Sequence, residues 1–106
     1  GLNEVAIALT LPNWALLIAS ERLSKRYLQI AVANAQIFDG SGAVDAGFLD
    51  EVTAPDQVTA RAIEVAQGLA EQLDAKAYAS TVRALRGDLL SQMDAAVAAD
   101  RAAAGL

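Results

Sequence analysis

The chain has 106 residues, with 8 basic and 13 acidic side chains and a net charge of -5; its pI near 4.4 denies it the clustered positive field that a general nucleic-acid binder needs. It contains no cysteine and no histidine, which removes disulfides, thiolate catalysis, Cys/His metal sites and His-dependent triads together and leaves acid/base work to carboxylates, Lys or Tyr. Hydrophobic residues reach 55% against the roughly 45–50% of an ordinary soluble domain, yet no apolar run approaches the roughly 20 residues of a membrane span, so we expect a cytoplasmic protein partly covered by something beyond this chain.

Residues 5–11 are aliphatic and β-branched without alternation, the pattern of a short strand buried on both faces, and Pro12 ends it. Asn13 is placed to cap the next turn, and 14–22 reads as a short apolar helix. Ser24 opens a second helix over 24–38, apolar nearly all round through Tyr27, Leu28, Ile30, Ala31, Val32, Ala33, Ile37 and Phe38, and such a helix has to be buried. Asn34 interrupts it with an amide that needs partners there.

Asp39-Gly40-Ser41-Gly42 is a dense turn signal, after which 43–46 makes one helical turn closed by Gly47 in the left-handed conformation. Residues 48–52 read as a second short strand. Thr53-Ala54-Pro55 sets up a helix start, followed by an apolar stripe of Val58, Ala62, Val65, Ala66, Leu69 and Leu73. A further helix spans 75–86, Gly87 ends it, and Asp88 caps a last helix to 104. The expected fold class is therefore mainly α with one or two short strands, without an internal repeat or a long linker.

The segment Asn3-Glu4-Val5-Ala6-Ile7-Ala8-Leu9-Thr10-Leu11-Pro12 resembles one in the crotonase superfamily, the enoyl-CoA hydratases and isomerases, where a Glu is followed by aliphatic and small residues up to a proline. Ala43-Val44-Asp45-Ala46-Gly47-Phe48-Leu49-Asp50-Glu51-Val52 is similar to a second family signature, with shortened internal spacing. The resemblance implies the C-terminal part of a crotonase-like α/β fold built on a ββα spiral. Residues 1–53 would end the core, and 54–106 would form a helical oligomerisation region that packs trimers or hexamers. The half that in the family carries both oxyanion-hole N–H groups would lie upstream, so the chain alone is expected to be inactive and a companion upstream polypeptide is a candidate partner.

On this resemblance the substrate is an acyl-CoA thioester, with coenzyme A belonging to the substrate and no separate cofactor, and Glu4 is the catalytic acid/base. A hydratase needs a carboxylate to activate water and an acid to protonate the neighbouring carbon. After Pro12, where many such hydratases have a glycine-rich turn, this chain has Asn13-Trp14-Ala15-Leu16. Trp14 and Leu17 are candidate acyl-pocket residues, although apolar positions on a short helix also serve a core.

Lys76, Ser80, Arg83 and Arg86 share a helix face. Arg83 is the candidate for the coenzyme A phosphates, with Val82 standing where relatives often have Lys; the alternative is a solvated basic face. Arg22, Lys25 and Arg26 read as a group balancing Glu21 or solvating a turn. Asp45, Asp50 and Glu51 lack the ligand spacing of a calcium loop, and no metal is assigned. The competing reading from another class is a non-catalytic helical oligomerisation module.

Overall fold

The computed structural model describes residues 1–106. It is helical as expected: a 3-10 turn at Glu4–Ile7 is followed by α1 (Asn13–Arg22), α2 (Lys25–Val32) and α3 (Gly40–Ala46). A second 3-10 turn at Pro55–Gln57 then leads into α4 (Val58–Gln72) and α5 (Ala75–Ala103). The chain forms two compact units. One comprises Gly1–Val52 with Leu89–Leu106, the other Thr53–Asp88, so α5 contributes to both.

Neither expected strand forms. A strand exists by pairing with a second edge, and neither segment finds one. Residues 4–7 instead close i to i+3 bonds, with the Ala6 N–H donating to the Asn3 carbonyl at 3.0 Å. Ala8 ends the turn in the left-handed region at φ 61°, and the Leu9 N–H returns to the Glu4 carbonyl at 2.9 Å. Val5, Ile7 and Leu9 lie on the surface, not in a doubly covered strand.

The second helix is shorter than its apolar pattern suggests, ending at Val32. Ala35 turns left-handed at φ 53°, and the Gln36 N–H reaches back to the Ile30 carbonyl at 3.1 Å. Asn34 is consequently exposed, and the buried amide expected inside a longer helix does not arise.

Asp39 caps α3 by accepting from the Gly42 N–H at 2.7 Å and the Ser41 hydroxyl at 3.1 Å. Gly47 closes that helix at φ 100°, as its position after the helical turn predicts. Its N–H bonds the Val44 carbonyl and the Phe48 N–H bonds the Ala43 carbonyl, which satisfies carbonyls the helix leaves open. Gly47 also seats α3 on the α1–α2 junction, where the Ser24 N–H donates to the Ala46 carbonyl at 3.0 Å.

Within this first unit Ala19, Leu23 and Ala31 form the core, flanked by Leu2, Leu28, Val32, Phe38 and Phe48. Phe38 meets Phe48 at 5.7 Å and Tyr27 edge-on at 6.1 Å. Five of the seven buried hydrophobic residues are alanines, and no large side chain is fully buried. Much of the apolar content of the sequence therefore stays on the surface.

In the second unit Pro55 starts the helical path at its first position, and Asp74 caps α5 by accepting from the Ala77 N–H at 2.7 Å. Gly87 does not end a helix. Helix α5 runs through it for 29 residues, because one helical glycine costs only about 1 kcal/mol relative to Ala and its flanks, Ala84-Leu85-Arg86 and Leu89-Leu90, are good helix formers. Val58, Val65, Leu69 and Leu73 of the α4 stripe remain exposed.

Candidate functional site

Glu4 sits at the first position of the opening 3-10 turn, and its Oε2 atom is shielded from solvent without a hydrogen-bond partner. An unsatisfied carboxylate oxygen in that position is costly and calls for a role. It borders a cavity of about 300 Å³. Helix α1 supplies one side through Trp14, Ala15, Ile18, Ala19 and Arg22, while Leu2, Pro12, Leu23 and Phe48 complete the lining. The wall is almost wholly carbon, so the cavity suits an apolar group held next to one carboxylate.

Of the positions expected to bind substrate, Trp14 lies on this cavity, half exposed at its edge. Leu17 faces the other way, into a separate groove of about 480 Å³ between α1 and α5 that includes Leu16, Ser20, Gln92 and Ala96. Helical periodicity explains the division, since residues 14, 15 and 18 share one face and 13, 16, 17 and 20 the opposite one. Arg83 is exposed on α5 in the second unit.

Arg22 pairs with Asp50 at 2.7 Å, not with Glu21 as chain proximity suggested. Both side chains are largely exposed, so the pair contributes at most about 1 kcal/mol. Its stem nevertheless lines the Glu4 cavity. Phe48 reaches the same cavity from beyond the Gly47 turn, a placement that no local pattern in the sequence announces.

The beginning of α1 is held from far along the chain. Its cap position is Pro12, which has no side-chain acceptor, and a helix start leaves several N–H groups unpaired. Asp100 of α5 supplies the acceptors: Oδ1 receives the Asn13 N–H at 2.9 Å and the Asn13 side-chain amide at 2.7 Å, and Oδ2 receives the Trp14 N–H at 3.0 Å. Asn13 is thus the first residue of the helix and a donor to its cap, not the cap itself.

These bonds hold the Asp100 carboxyl below its ordinary value, the Asn13 N–H contributing most, with burial opposing and the Trp14 N–H and Asn13 amide adding to the lowering. Asp39 is lowered by the Gly42 N–H and then the Ser41 hydroxyl, against a small opposing effect of burial. A folded value below the unfolded one stabilises above the unfolded value, and that stabilisation is lost as pH falls through the folded one. Melting temperature should therefore hold from pH 7 down to about 4 and drop below it, with Asp100→Asn flattening the acid side of the profile. An identical acid profile in that variant would contradict the assignment.

No protein-family model and no curated protein sequence matches the chain. Among solved structures it is similar to a probable enoyl-CoA hydratase from Mycobacterium tuberculosis, with 39% identity and a TM-score of 0.88 over 98% of this chain. An enoyl-CoA hydratase/isomerase family protein from Pseudomonas syringae shares 38% identity with a TM-score of 0.87 over 95%. An enoyl-CoA hydratase from Mycobacterium marinum shares 35% identity with a TM-score of 0.85 over 94%. In each case the chain spans 44% of the other protein's length.

Proposed function

Because the chain belongs to the crotonase superfamily of enoyl-CoA hydratases and isomerases, we propose that it is the C-terminal portion of an enzyme acting on an enoyl-CoA thioester. Glu4 is its acid/base, and Trp14 belongs to the wall that receives the acyl chain. The observation that carries this reading is the solvent-shielded, unpartnered Glu4 oxygen against a carbon-lined cavity. Beside an apolar wall a carboxylate can act on a proton of a bound substrate with little competition from solvent. Leu17 lines the other groove and is not given a place at this cavity, and Arg83, in the second unit, is proposed separately as a contact for the phosphates of coenzyme A. Coenzyme A enters as part of the substrate, no separate cofactor is invoked, and a cytoplasmic location is part of the same reading.

Stabilising the thioester oxyanion is the larger part of such catalysis, and we assign it to the family fold outside these 106 residues. The test is hydration of crotonyl-CoA, followed by loss of thioester absorbance. The chain alone should show no substantial turnover, and supplying the upstream portion of a crotonase fold as a companion polypeptide should restore it. Turnover by the chain alone near that of a full-length hydratase, or none after complementation, would overturn the assignment.

A second reading, a helical assembly module forming trimers or hexamers, is favoured by the exposed stripe in the second unit. There Leu69 of α4, Leu73 just after it and Tyr78 of α5 border an apolar groove of about 360 Å³. Covering each larger side chain would contribute about 1.5–3 kcal/mol. Light scattering across a dilution series should give a mass above the 11.0 kDa of one chain, falling to one chain in the Val65→Asp/Leu69→Asp double variant. A stable monomer at every concentration would refute assembly through this stripe.

A further inference from the structure

We propose that Asp100 is a positioning residue for the acyl pocket, acting through Asn13 and Trp14 to fix helix α1 as one wall of the Glu4 cavity; this rests on the acyl-pocket reading above. Its carboxylate is committed on both oxygens to the first turn of α1, receiving two backbone N–H groups and one side-chain amide at 2.7–3.0 Å. The Pro12 carbonyl takes the Ala15 and Leu16 N–H groups but Pro12 has no side-chain acceptor, so the Asn13 and Trp14 N–H groups depend on this distant carboxylate. Charge-assisted bonds of this length are among the stronger hydrogen bonds a protein makes, and a carboxylate at a helix N-terminus also meets the favourable end of the helix dipole.

Helix α1 is two-sided. Trp14, Ala15 and Ile18 face the cavity that contains Glu4, while Leu16, Leu17 and Ser20 face the α5 groove. That groove is lined on the α5 side mainly by Ala95, Ala96 and Ala99, small side chains that offer little interlocking surface to the first turns of α1. The Asp100 bonds supply the directional restraint that such a surface lacks. A small rotation of α1 would carry Trp14 and Ile18 away from the cavity and change its width at the point where they border it.

The chain has a single tryptophan, and it is Trp14, so its emission reports the position of this first turn. Asp100→Asn in the full 106-residue chain should shift that emission to the red and increase its quenching by acrylamide, with helical circular dichroism retained. Its affinity for octanoyl-CoA should fall about tenfold, equivalent to about 1.4 kcal/mol, while any binding of coenzyme A alone stays unchanged. Asp100→Glu keeps the charge and should recover much of the affinity; it also serves as the working variant if the Asn form does not fold.

Unchanged emission and quenching in the ligand-free variant would overturn the positioning role. Equal octanoyl-CoA affinity in the unmodified and variant chains would overturn its consequence for the pocket. Failure of the unmodified chain to bind octanoyl-CoA would instead overturn the acyl-pocket reading, since the ligand-free emission decides separately whether Asp100 sets α1.

Discussion

Replacing Glu4 by Gln, once the chain is joined to the rest of a crotonase fold, is expected to lower enoyl-CoA turnover by at least about 100-fold while leaving the melting temperature unchanged. The two halves of this expectation share one cause. Glu4 Oε2 has no hydrogen-bond partner and no access to solvent, so replacing the carboxylate by the amide removes the acid/base group without breaking a hydrogen bond of that oxygen. A merely structural carboxylate would behave in the opposite way, with stability falling and rate following it. Parallel measurements of crotonyl-CoA hydration and thermal melting separate the cases, and equal rates for the unmodified protein and its Glu4→Gln variant would make the carboxylate irrelevant to catalysis.

The second large effect is on folding, at Gly47. A Cβ built there would lie 2.9 Å from the Arg22 carbonyl oxygen and 3.3 Å from both the Leu23 Cα and the Ser24 nitrogen. All three are backbone atoms, which cannot swing aside as a side chain can. The left-handed φ of 100° adds its own penalty for any L-residue. Together the conformational term of about 1–2 kcal/mol and the overpacking term of about 1–3 kcal/mol predict that Gly47→Ala destabilises by roughly 2–5 kcal/mol. A small domain holds about 5–15 kcal/mol in total. Gly87→Ala is the matched control: it is helical, has nothing within 4 Å of an added Cβ, and should stabilise by about 1 kcal/mol. Urea melts of the two variants should move in opposite directions, and similar midpoints would contradict the seating of α3 on the α1–α2 junction.

These two glycines also mark where the sequence was legible. Gly47 follows a short helical turn and precedes an aromatic residue that closes the C-terminal motif, a pattern complete within a short segment. Gly87 has the same composition cue but strong helix formers on both sides, and propensity summed over the neighbours outweighs one glycine. The run 5–11 misleads for a different reason, because a short apolar segment has the same appearance whether it pairs as a strand or lies against other elements. The mainly helical class and the Pro55 start were readable from local pattern. The split of Trp14 and Leu17 between opposite faces of α1 follows from helical geometry once the helix is placed. The Arg22–Asp50 pair, the approach of Phe48 to the cavity and the Asp100 cap depend on tertiary path, for which a single sequence carries no local signal.

The separation of 87 residues between Asn13 and Asp100 has a temporal side. At ribosomal speeds of about 5–20 residues per second, the carboxylate that restrains α1 is added roughly 4–17 seconds after the helix it restrains. During that interval α1 lacks its Asp100 acceptor, while Val5, Ile7, Leu9 and Ile18, exposed even in the finished fold, are open to competing contacts. Maturation of the Glu4 cavity thereby waits for residue 100, and a nascent chain arrested before that residue should hold Trp14 in a more mobile environment than one extended past it.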